Sequence, residues 1–481
     1  MKLTELENLE RLEHGSLSVG SLSKLKEFSV RGCGKLLCVF ASQLLPMLRH
    51  LEDLFVESCE LLEVMFELEG ADSNEPNPTI LSPLKLIVLR DLPKLNYISK
   101  RDPMGFEYIQ TLHIYDCSSL KHVFAPTMAK SIPLLCDLMI WKCEMLSRIV
   151  AEENGLGESS VEEVEFPQLK RLELGNLPNL VSFFPNVNTT VAQSGDHYHN
   201  LVQPQPLFNE KVAIPSLVYL GLFGLKNVRN MFHPSMAGGL VNLQKLLIKD
   251  CSTLETVGME EEVGGHGRIL HKTLFPQLIK LVLARLPKLK WFCHFTHPLE
   301  LPRLRTMDIM FCPSMDAFSL GHVSAPNLSL PGILWNGDLN NAIQSLPKVT
   351  FPRLENLELE GCESLKYVFQ PSMAKDLVNL QELIINDCSK MEAVVDREEE
   401  IEGGQGRKSA DKTLFPRLSK LELCRLQQLK RFCHFKYPLE LPLLSQMVIW
   451  DCPSMDSFSF GYVRAPNLRL QATSRNGKIW R

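Results

Sequence analysis

Cysteine is the residue type in this sequence with the widest chemistry, because its thiolate is both a nucleophile and a metal ligand. The chain has 481 residues and 14 cysteines, one of which stands in the stretch Cys293-His294 with His297 close behind. That spacing could hold a metal ion. A related stretch further along keeps Cys433-His434 but has Tyr437 where the first has His297. A shared metal site is therefore weakly supported, and we interpret these residues as packing groups.

Motifs for phosphate binding and for hydrolysis are absent from the sequence. The glycine-rich stretch 403–409 comes nearest to a phosphate-binding loop, but it lacks the Gly-Lys-Ser step and lies among acidic residues. Neither a G-x-S-x-G nucleophile elbow nor an H-E-x-x-H zinc motif occurs. We predict that the chain is not an enzyme, with no catalytic residues, no cofactor and no metal.

The spacing of the cysteines indicates what most of them do instead. Nine of the 14 occupy the same place in a repeated pattern: Cys33, Cys59, Cys117, Cys143, Cys251, Cys312, Cys362, Cys388 and Cys452. In five further copies leucine stands there: Leu92, Leu177, Leu225, Leu286 and Leu426. A place that accepts cysteine or leucine is an apolar slot, where a free thiol packs as a small hydrophobic group and donates weakly to a carbonyl.

The repeated pattern is L-x-x-L-x-L-x-x-C-x-x-L, as in residues 354–365. We number its places from the first leucine, so that the cysteine is the ninth. Fourteen full copies begin at Leu25, Leu51, Leu84, Ile109, Leu135, Leu169, Leu217, Leu243, Leu278, Leu304, Leu354, Leu380, Leu418 and Leu444. Two clipped copies occupy 327–330 and 467–470. This spacing is typical of leucine-rich repeats, in which each copy supplies one strand of a solenoid.

The repeated pattern predicts the strands and turns that position any binding residue. Alternate residues of a strand point to opposite faces, so the fourth and sixth places face a core and the third, fifth and seventh face outward. The predicted fold is an α/β solenoid, a leucine-rich-repeat horseshoe with a concave parallel β-sheet and an irregular convex side of helices and loops. Helical turns are predicted at 127–131, 235–239 and 373–380.

Three segments are predicted along the chain. Residues 1–24 form a partial repeat at a truncated N-terminus, in which 6–12 resembles the tail of a unit whose strand is missing. Residues 25–470 form the solenoid, and residues 471–481 form a C-terminal tail. Within the solenoid, the segment 228–330 reappears as 365–470, which indicates a block duplication.

The outward places hold the candidate binding residues. Large apolar and aromatic side chains there are unusual without a partner, and aromatic residues are favoured anchors in protein interfaces. The predicted protein-binding residues of the concave face are Phe55, Tyr115, Met139, Trp141, Tyr219, Phe223, Leu247, Met310 and Trp450. The alternative is that inserted loops fold over the sheet and cover them. Among nine outward pairs in three matched units of the duplicated blocks, only Lys280 and Lys420 are identical, which either drift or selection for different contacts explains.

Composition excludes several classes of partner. The net charge is −5 with both signs interspersed, which favours neither nucleic acid nor an anionic membrane surface. No apolar run approaches the roughly 18 residues of a membrane span, and the first residues lack the apolar core of a secretory signal. With its free cysteines, the chain is predicted to be cytoplasmic.

Several short motifs carry a resemblance to a known family. Phe-Pro-x-Leu precedes strands, Leu-Pro-x-Leu or Asp-Cys-x-x-Leu follows them, and Pro-Ser-Met-Ala stands on the back, as in 351–362 and 234–251. Over about residues 6–470 the chain resembles the C-terminal leucine-rich-repeat region of plant nucleotide-binding leucine-rich-repeat disease-resistance proteins of the coiled-coil class. The resemblance implies part of an intracellular immune receptor.

The expected function is therefore a non-catalytic recognition module of plant innate immunity. The resemblance implies one of three protein partners: a pathogen effector, a guarded host protein, or the nucleotide-binding domain of a longer receptor. That domain has no counterpart in this sequence, so no nucleotide site is carried over. The alternative is a stand-alone leucine-rich-repeat adaptor or a substrate-recognition subunit of a ubiquitin ligase, for which the first 24 residues leave no room for an F-box-like segment. An extracellular receptor fragment, with Asn188-Thr-Thr and Asn327-Leu-Ser as glycosylation acceptors, lacks a signal segment.

Overall fold

Each of the fourteen full copies of the pattern forms one β-strand in the computed structural model, and the strand always runs from the third place to the seventh. The structure describes residues 1–12, 22–41, 44, 47–67, 84–99, 106–151, 163–185, 205–233, 236, 239–259, 275–294, 301–315, 351–369, 374, 376–396, 414–434 and 439–470. The chain forms two compact units, Met1–Leu243 and Gln244–Arg481. Each unit contains its own run of parallel strands.

The main sheet of the first unit has eight strands among the described residues. In spatial order they are Lys2–Thr4, Glu27–Arg31, Asp53–Glu57, Leu86–Arg90, Thr111–Tyr115, Asp137–Trp141, Arg171–Gly175 and Tyr219–Phe223. The strand expected to be missing from the first repeat is present, because Lys2–Thr4 pairs in parallel with residues Ser29, Val30 and Arg31. Residues 6–12 are thus the tail of a unit, as expected, and its strand escaped notice because Lys2–Thr4 is short and Leu3 is its only apolar residue.

The main sheet of the second unit also has eight strands within the described ranges. In spatial order they are Lys245–Lys249, Lys280–Ala284, Thr306–Met310, Asn356–Glu360, Glu382–Asn386, Lys420–Cys424, Gln446–Trp450 and Arg469–Leu470. The clipped copy at 467–470 supplies the last of these strands. The other clipped copy, at 327–330, lies outside the described residues.

The side predicted to hold helices and loops also contains short parallel strands. In the first unit these are Cys38–Ala41, Val64–Glu67, Tyr97–Ser99, Val164–Glu165, Pro206–Phe208, Val212–Ala213 and Asn230–Phe232. In the second unit they are Thr256–Met259, Trp291–His294, Ala393–Val395, Leu439–Glu440, Arg431–Cys433 and Val463–Arg464.

Helical structure is short among the described residues. The turn predicted at 127–131 is confirmed as the α-helix Pro126–Lys130, and a 3-10 helix occupies Phe106–Tyr108. At the other two predicted turns, Met236, Gly239, Ala374 and Asp376 are helical, whereas residues 377–380, which the prediction included, are not. No helix in the described ranges has the length and apolar character needed to cross a membrane.

The core of each unit is built from the leucines of the pattern and from rows of phenylalanine. Framework residues that match between the duplicated blocks, such as Leu246 with Leu383 and Cys251 with Cys388, are fully buried. Neighbouring phenylalanine rings lie within 4.7–6.1 Å of each other in three rows: Phe28, Phe40, Phe66 and Phe106; Phe124, Phe166, Phe183, Phe208 and Phe232; and Phe369, Phe415, Phe432 and Phe458. Each ring therefore packs against its neighbours in the row.

Every full copy leaves its strand through the same left-handed turn. The eighth place has φ between 52 and 65° in all fourteen copies. In twelve of these copies its N–H donates to the seventh-place carbonyl of the next strand, as from Asp116 to Trp141 at 2.9 Å. The thiol of the ninth-place cysteine donates to the seventh-place carbonyl of its own strand, as from Cys143 to Trp141 at 3.5 Å. All nine cysteines of this place make that bond at 3.4–3.7 Å, which confirms the slot that the sequence predicted.

Candidate protein-binding face

The outward face of the main sheets is where all nine predicted binding residues lie. The strand Asn356–Glu360 shows the alternation: Leu357 and Leu359 are 2% exposed, whereas the residues at its outward places are half-buried. Each of the nine predicted residues is likewise half-buried. Their placement on this face is confirmed, and their contact with a partner stays a prediction.

Five of the nine come together in the first unit, and we call Tyr115, Met139, Trp141, Tyr219 and Phe223 the aromatic patch. They lie on three of four neighbouring strands, and the seventh-place row runs from Tyr115 through Trp141 and Gly175 to Phe223. The hydroxyl of Tyr115 donates to the sulfur of Met139 at 3.6 Å. The ring centroids of Trp141 and Phe223 are 5.1 Å apart with planes inclined by 24°. The patch is thus one connected surface.

Two glycines make room for the aromatic patch. A Cβ atom at Gly175 would lie 2.3 Å from Cε3 of Trp141, so the indole of Trp141 covers this glycine and meets Phe223 across it. A Cβ atom at Gly221 would lie 2.7 Å from Cε2 of Phe223 and 3.1 Å from Cε1 of Tyr219. The sequence analysis missed both residues. The signal available was glycine at an outward place inside a strand, which often marks a close approach of another group.

Charged groups border the aromatic patch, and burial raises the pKa of its tyrosines. The guanidinium of Arg90 lies 5.3 Å from the ring centroid of Tyr115, and that of Arg171 lies 5.3 Å from the ring centroid of Tyr219. Arg171 donates to the carboxylate of Glu173 at 2.8 Å, and Glu173 is only 6% exposed. Burial, followed by the charge of Glu173, raises the pKa of Tyr219 to about 12. The patch therefore presents neutral rings flanked by two cations.

The remaining four predicted residues do not join the aromatic patch. Phe55 pairs in register with Val88 of the next strand, so Phe55 itself lies two strands away from Tyr115. In the second unit, Met310 and Trp450 are four strand intervals apart, which is about 19 Å at the usual strand spacing. Leu247 is two intervals from Met310 on the other side. Sequence position alone could not show that only some outward aromatics are neighbours.

Carboxylates occupy the middle of the outward face in the second unit. Asp308, Glu358 and Glu422 stand at the fifth place of their strands, and Glu360 stands at the seventh. Burial raises the pKa of Glu358, and the charges of Asp308, Glu360 and Glu422 raise it further. Lys280 and Lys420 pair with Asp308 and Glu422, so the middle of this face holds ion pairs and carboxylates where the first unit has its aromatic patch.

Two buried ninth-place cysteines, Cys59 and Cys312, are poor nucleophiles in this fold. Burial raises the pKa of the Cys59 thiol to about 11 and that of Cys312 to about 12. Cys433 donates to the hydroxyl of Ser459 at 3.4 Å in the core, in keeping with the packing role expected for the Cys433-His434 stretch. Within the part of the chain that the structure describes, no group of three histidine, cysteine or carboxylate side chains could hold a metal ion. His297 and the glycine-rich stretch 403–409 lie outside that part.

Comparison with known families gives a match over most of the chain. The family model described as plant disease resistance protein RPS2-like, leucine-rich repeats, matches residues 1–144, 188–320 and 333–468. A probable disease resistance protein of Arabidopsis thaliana is 30% identical over 128 residues, which is 26% of this chain and 13% of that protein. This chain thus matches only a small part of that relative.

Comparison with solved structures returns leucine-rich-repeat proteins and receptors at low similarity. A leucine-rich-repeat protein of Leptospira interrogans is 12% identical, with a TM-score of 0.26, over 79% of this chain and 95% of that one. The plant peptide hormone receptor RGFR1 in complex with RGF2 is 13% identical, with a TM-score of 0.21, over 96% of this chain and 80% of that one. Because these scores are low, the fold is assigned from the strand register of the chain itself and from its family match.

Proposed function

Since the chain belongs to the RPS2-like leucine-rich-repeat family of plant disease resistance proteins, we propose that it is a protein-recognition module of plant innate immunity. It binds its partner without catalysis, through the outward face of its sheets. The partner is a pathogen effector, a host protein that an effector modifies, or the nucleotide-binding domain of a longer receptor. The proposed location is the cytoplasm, where the free thiols of the described cysteines are in keeping with a reducing compartment.

The observation that carries this proposal is the aromatic patch of the first unit. Its five side chains are partly exposed and mutually packed, so they hold one conformation before a partner arrives. Rigid aromatic side chains that lose little entropy on binding are the usual anchors of protein interfaces. Glycine at Gly175 and Gly221 keeps the rings close to the backbone, which leaves a shallow surface open to a protein partner.

The patch also supplies specificity through the cations at its border. Arg90 and Arg171 each lie over a tyrosine ring, and Glu173 partly neutralises Arg171. Arg90 itself lies 3.7 Å from the carboxylate of Glu57, so the partner that fits places apolar groups on the rings and a carboxylate that shares Arg90 with Glu57. Truncation of a central aromatic anchor such as Trp141 typically weakens an interface by about 2 kcal/mol or more, which is roughly thirtyfold in Kd.

A site-specific cross-linking experiment tests the proposal. A photoreactive phenylalanine derivative replaces Met139 in one variant and Leu134 in a control, and both are expressed in leaves challenged with a pathogen. Leu134 is 40% exposed and precedes the strand that contains Met139. We expect a discrete protein adduct from the Met139 position, absent at Leu134, and lost when Trp141→Ala is added.

The same adduct from both positions, or an adduct that Trp141→Ala leaves unchanged, would show that the aromatic patch is not the binding surface. Far-UV circular dichroism of each purified variant checks that the sheets are intact.

A further inference from the structure

A second surface with its own chemistry runs along the carboxyl ends of the strands in the second unit. The eighth places of seven consecutive copies, from Asp250 to Asp451, and the tenth places of the first six line a groove of about 810 Å³. These residues lie beyond the strand ends, so they are separate from the outward sheet face. The aromatic patch belongs to the other unit, and the groove is therefore independent of the function proposed for that patch.

Phe311 is the unusual residue of this groove. It occupies the eighth place with φ of 54°, a conformation that most side chains, and bulky ones above all, avoid. Its side chain is 46% exposed, and the ring lies against Gly361, where a Cβ atom would be 2.8 Å from Cδ1 of the ring. Pro287 and Pro313 line the groove beside it. The chain thus keeps a strained, exposed aromatic ring on an apolar floor.

The other bulky eighth-place residues of the groove form ion pairs that compensate for their backbone. Arg285 donates to Asp250 at 2.7 Å, and Arg425 donates to Asp387 at 2.6 Å. Each pair joins the eighth places of neighbouring copies and neutralises its own charge. Phe311 has no such pair, so its strain is not offset in the same way.

The carboxylates that remain give the groove a negative character. Among the described residues, neither Glu363 nor Asp451 lies in an ion pair, and both line the groove. The two arginines of the groove are already bound to Asp250 and Asp387. A ligand that fits must therefore bring positive charge as well as an apolar group.

The spacing of the strands sets the length of such a ligand. Seven strands span six intervals, about 29 Å at roughly 4.8 Å each, and an extended peptide rises about 3.3 Å per residue. We propose that the groove binds an extended segment of a partner protein about nine residues long, with an apolar side chain against Phe311 and lysine or arginine side chains at Glu363 and Asp451. Glu363 is one strand interval and Asp451 four intervals from Phe311, so basic side chains two and six residues from the apolar one lie nearest to them on the same face of the extended peptide.

The block duplication provides a natural control for this site. Arg285 matches Arg425, and Asp250 matches Asp387, but the residue that matches Phe311 is Asp451. The fold therefore accepts aspartate at this place next to an arginine, and aspartate tolerates the left-handed conformation better than phenylalanine does. Phe311→Asp and Phe311→Asn should both leave the fold intact while they remove the ring.

The test measures binding of defined peptides to the full chain by fluorescence anisotropy. The probes are two fluorescein-labelled nonapeptides of glycine with one leucine and two lysines at the stated spacing, one the reverse of the other. Control peptides replace both lysines with glutamate or the leucine with serine. We expect one direction of the probe to bind, with each control peptide at least about tenfold weaker, as the loss of one good contact implies.

Variants of the chain then locate the binding. Phe311→Asn and Phe311→Asp should each weaken the probe at least about tenfold, and thermal unfolding should show no loss of stability. Tyr462→Ser, which removes an aromatic side chain 65% exposed outside the groove, should bind as the parent does. Absence of probe binding by the parent, equal binding of the glutamate peptide, or equal binding by both Phe311 variants would each overturn the proposal.

Discussion

The glycine beneath the indole ring of Trp141 gives the sharpest test of how the aromatic patch is built. In a Gly175→Ala variant, the new methyl carbon would lie 2.3 Å from Cε3 of Trp141. A carbon–carbon contact needs about 3.5 Å, so the ring must withdraw by about 1.2 Å. We expect the indole to tilt away from the sheet and to lose its stacked contact with Phe223.

The magnitude follows from two opposing contributions. Loss of the stacked pair is worth about 0.5–1.5 kcal/mol. Replacement of glycine by alanine within a strand gains about 0.5–1 kcal/mol, because the unfolded chain loses freedom. The net change in the free energy of unfolding is therefore small, and a matched control is needed to see it. Gly34→Ala serves, since a Cβ atom at Gly34 meets nothing within 4 Å. We expect Gly175→Ala to be less stable than Gly34→Ala by about 1 kcal/mol.

The direct readout is the environment of Trp141. The fluorescence of Trp141 is the emission of each chain minus the emission of the same chain with Trp141→Phe. Acrylamide quenching of this difference measures how accessible the indole is to solvent. We expect quenching to increase in the Gly175→Ala chain and to stay unchanged in the Gly34→Ala chain. Equal quenching in the two chains would refute the view that Gly175 determines the position of the indole.

Three further outcomes follow from the cysteine slots and the ion pairs. Folding raises the pKa of Cys59 to about 11 and that of Cys312 to about 12 from the ordinary value of 9.0. Above pH 9 the folded chain therefore holds more protons than the unfolded chain, and its stability to urea should fall from pH 9 to pH 12. Cys312→Leu should make that fall less steep. Iodoacetamide at pH 8 should label the partly exposed Cys136 but not the buried Cys59 until urea is added, as peptide mass spectrometry would show. A double-mutant cycle of Arg285→Ala and Asp250→Ala should give a coupling of at most about 1 kcal/mol that 1 M NaCl weakens, since both side chains are about half exposed; a coupling above about 2 kcal/mol would contradict this view of the pair.

The strands were predictable because one local pattern repeats and specifies both faces of each strand. The copy at Leu217 follows the copy at Leu169 after a long insertion, yet Tyr219–Phe223 pairs in register with Arg171–Gly175. The leucines decide this, because a shift by one residue would expose the whole buried set. The ninth-place cysteines were predictable for a similar reason, since Leu92 and Leu177 occupy the same slot without a thiol.

The arrangement of side chains on the outward face was less predictable. Phe55 and Trp141 both stand at outward places. Trp141, however, is next to a glycine, and its ring therefore reaches across that strand to the ring of Phe223. That contact depends on which copies are adjacent and on glycine in the strand between them. Phe311 was missed because propensity argues against phenylalanine at positive φ, and here the turn geometry of the repeat overrides propensity.

The uniform left-handed exit has a consequence for how such a chain changes over generations. Since neighbouring copies within each unit join through the same N–H to carbonyl bond, a copy removed or added within a unit by unequal recombination leaves the junctions there chemically alike. The duplicated blocks 228–330 and 365–470 show that this chain has tolerated such an event. A single crossover can therefore bring outward residues from distant copies side by side, as new combinations of existing side chains, before any codon mutates.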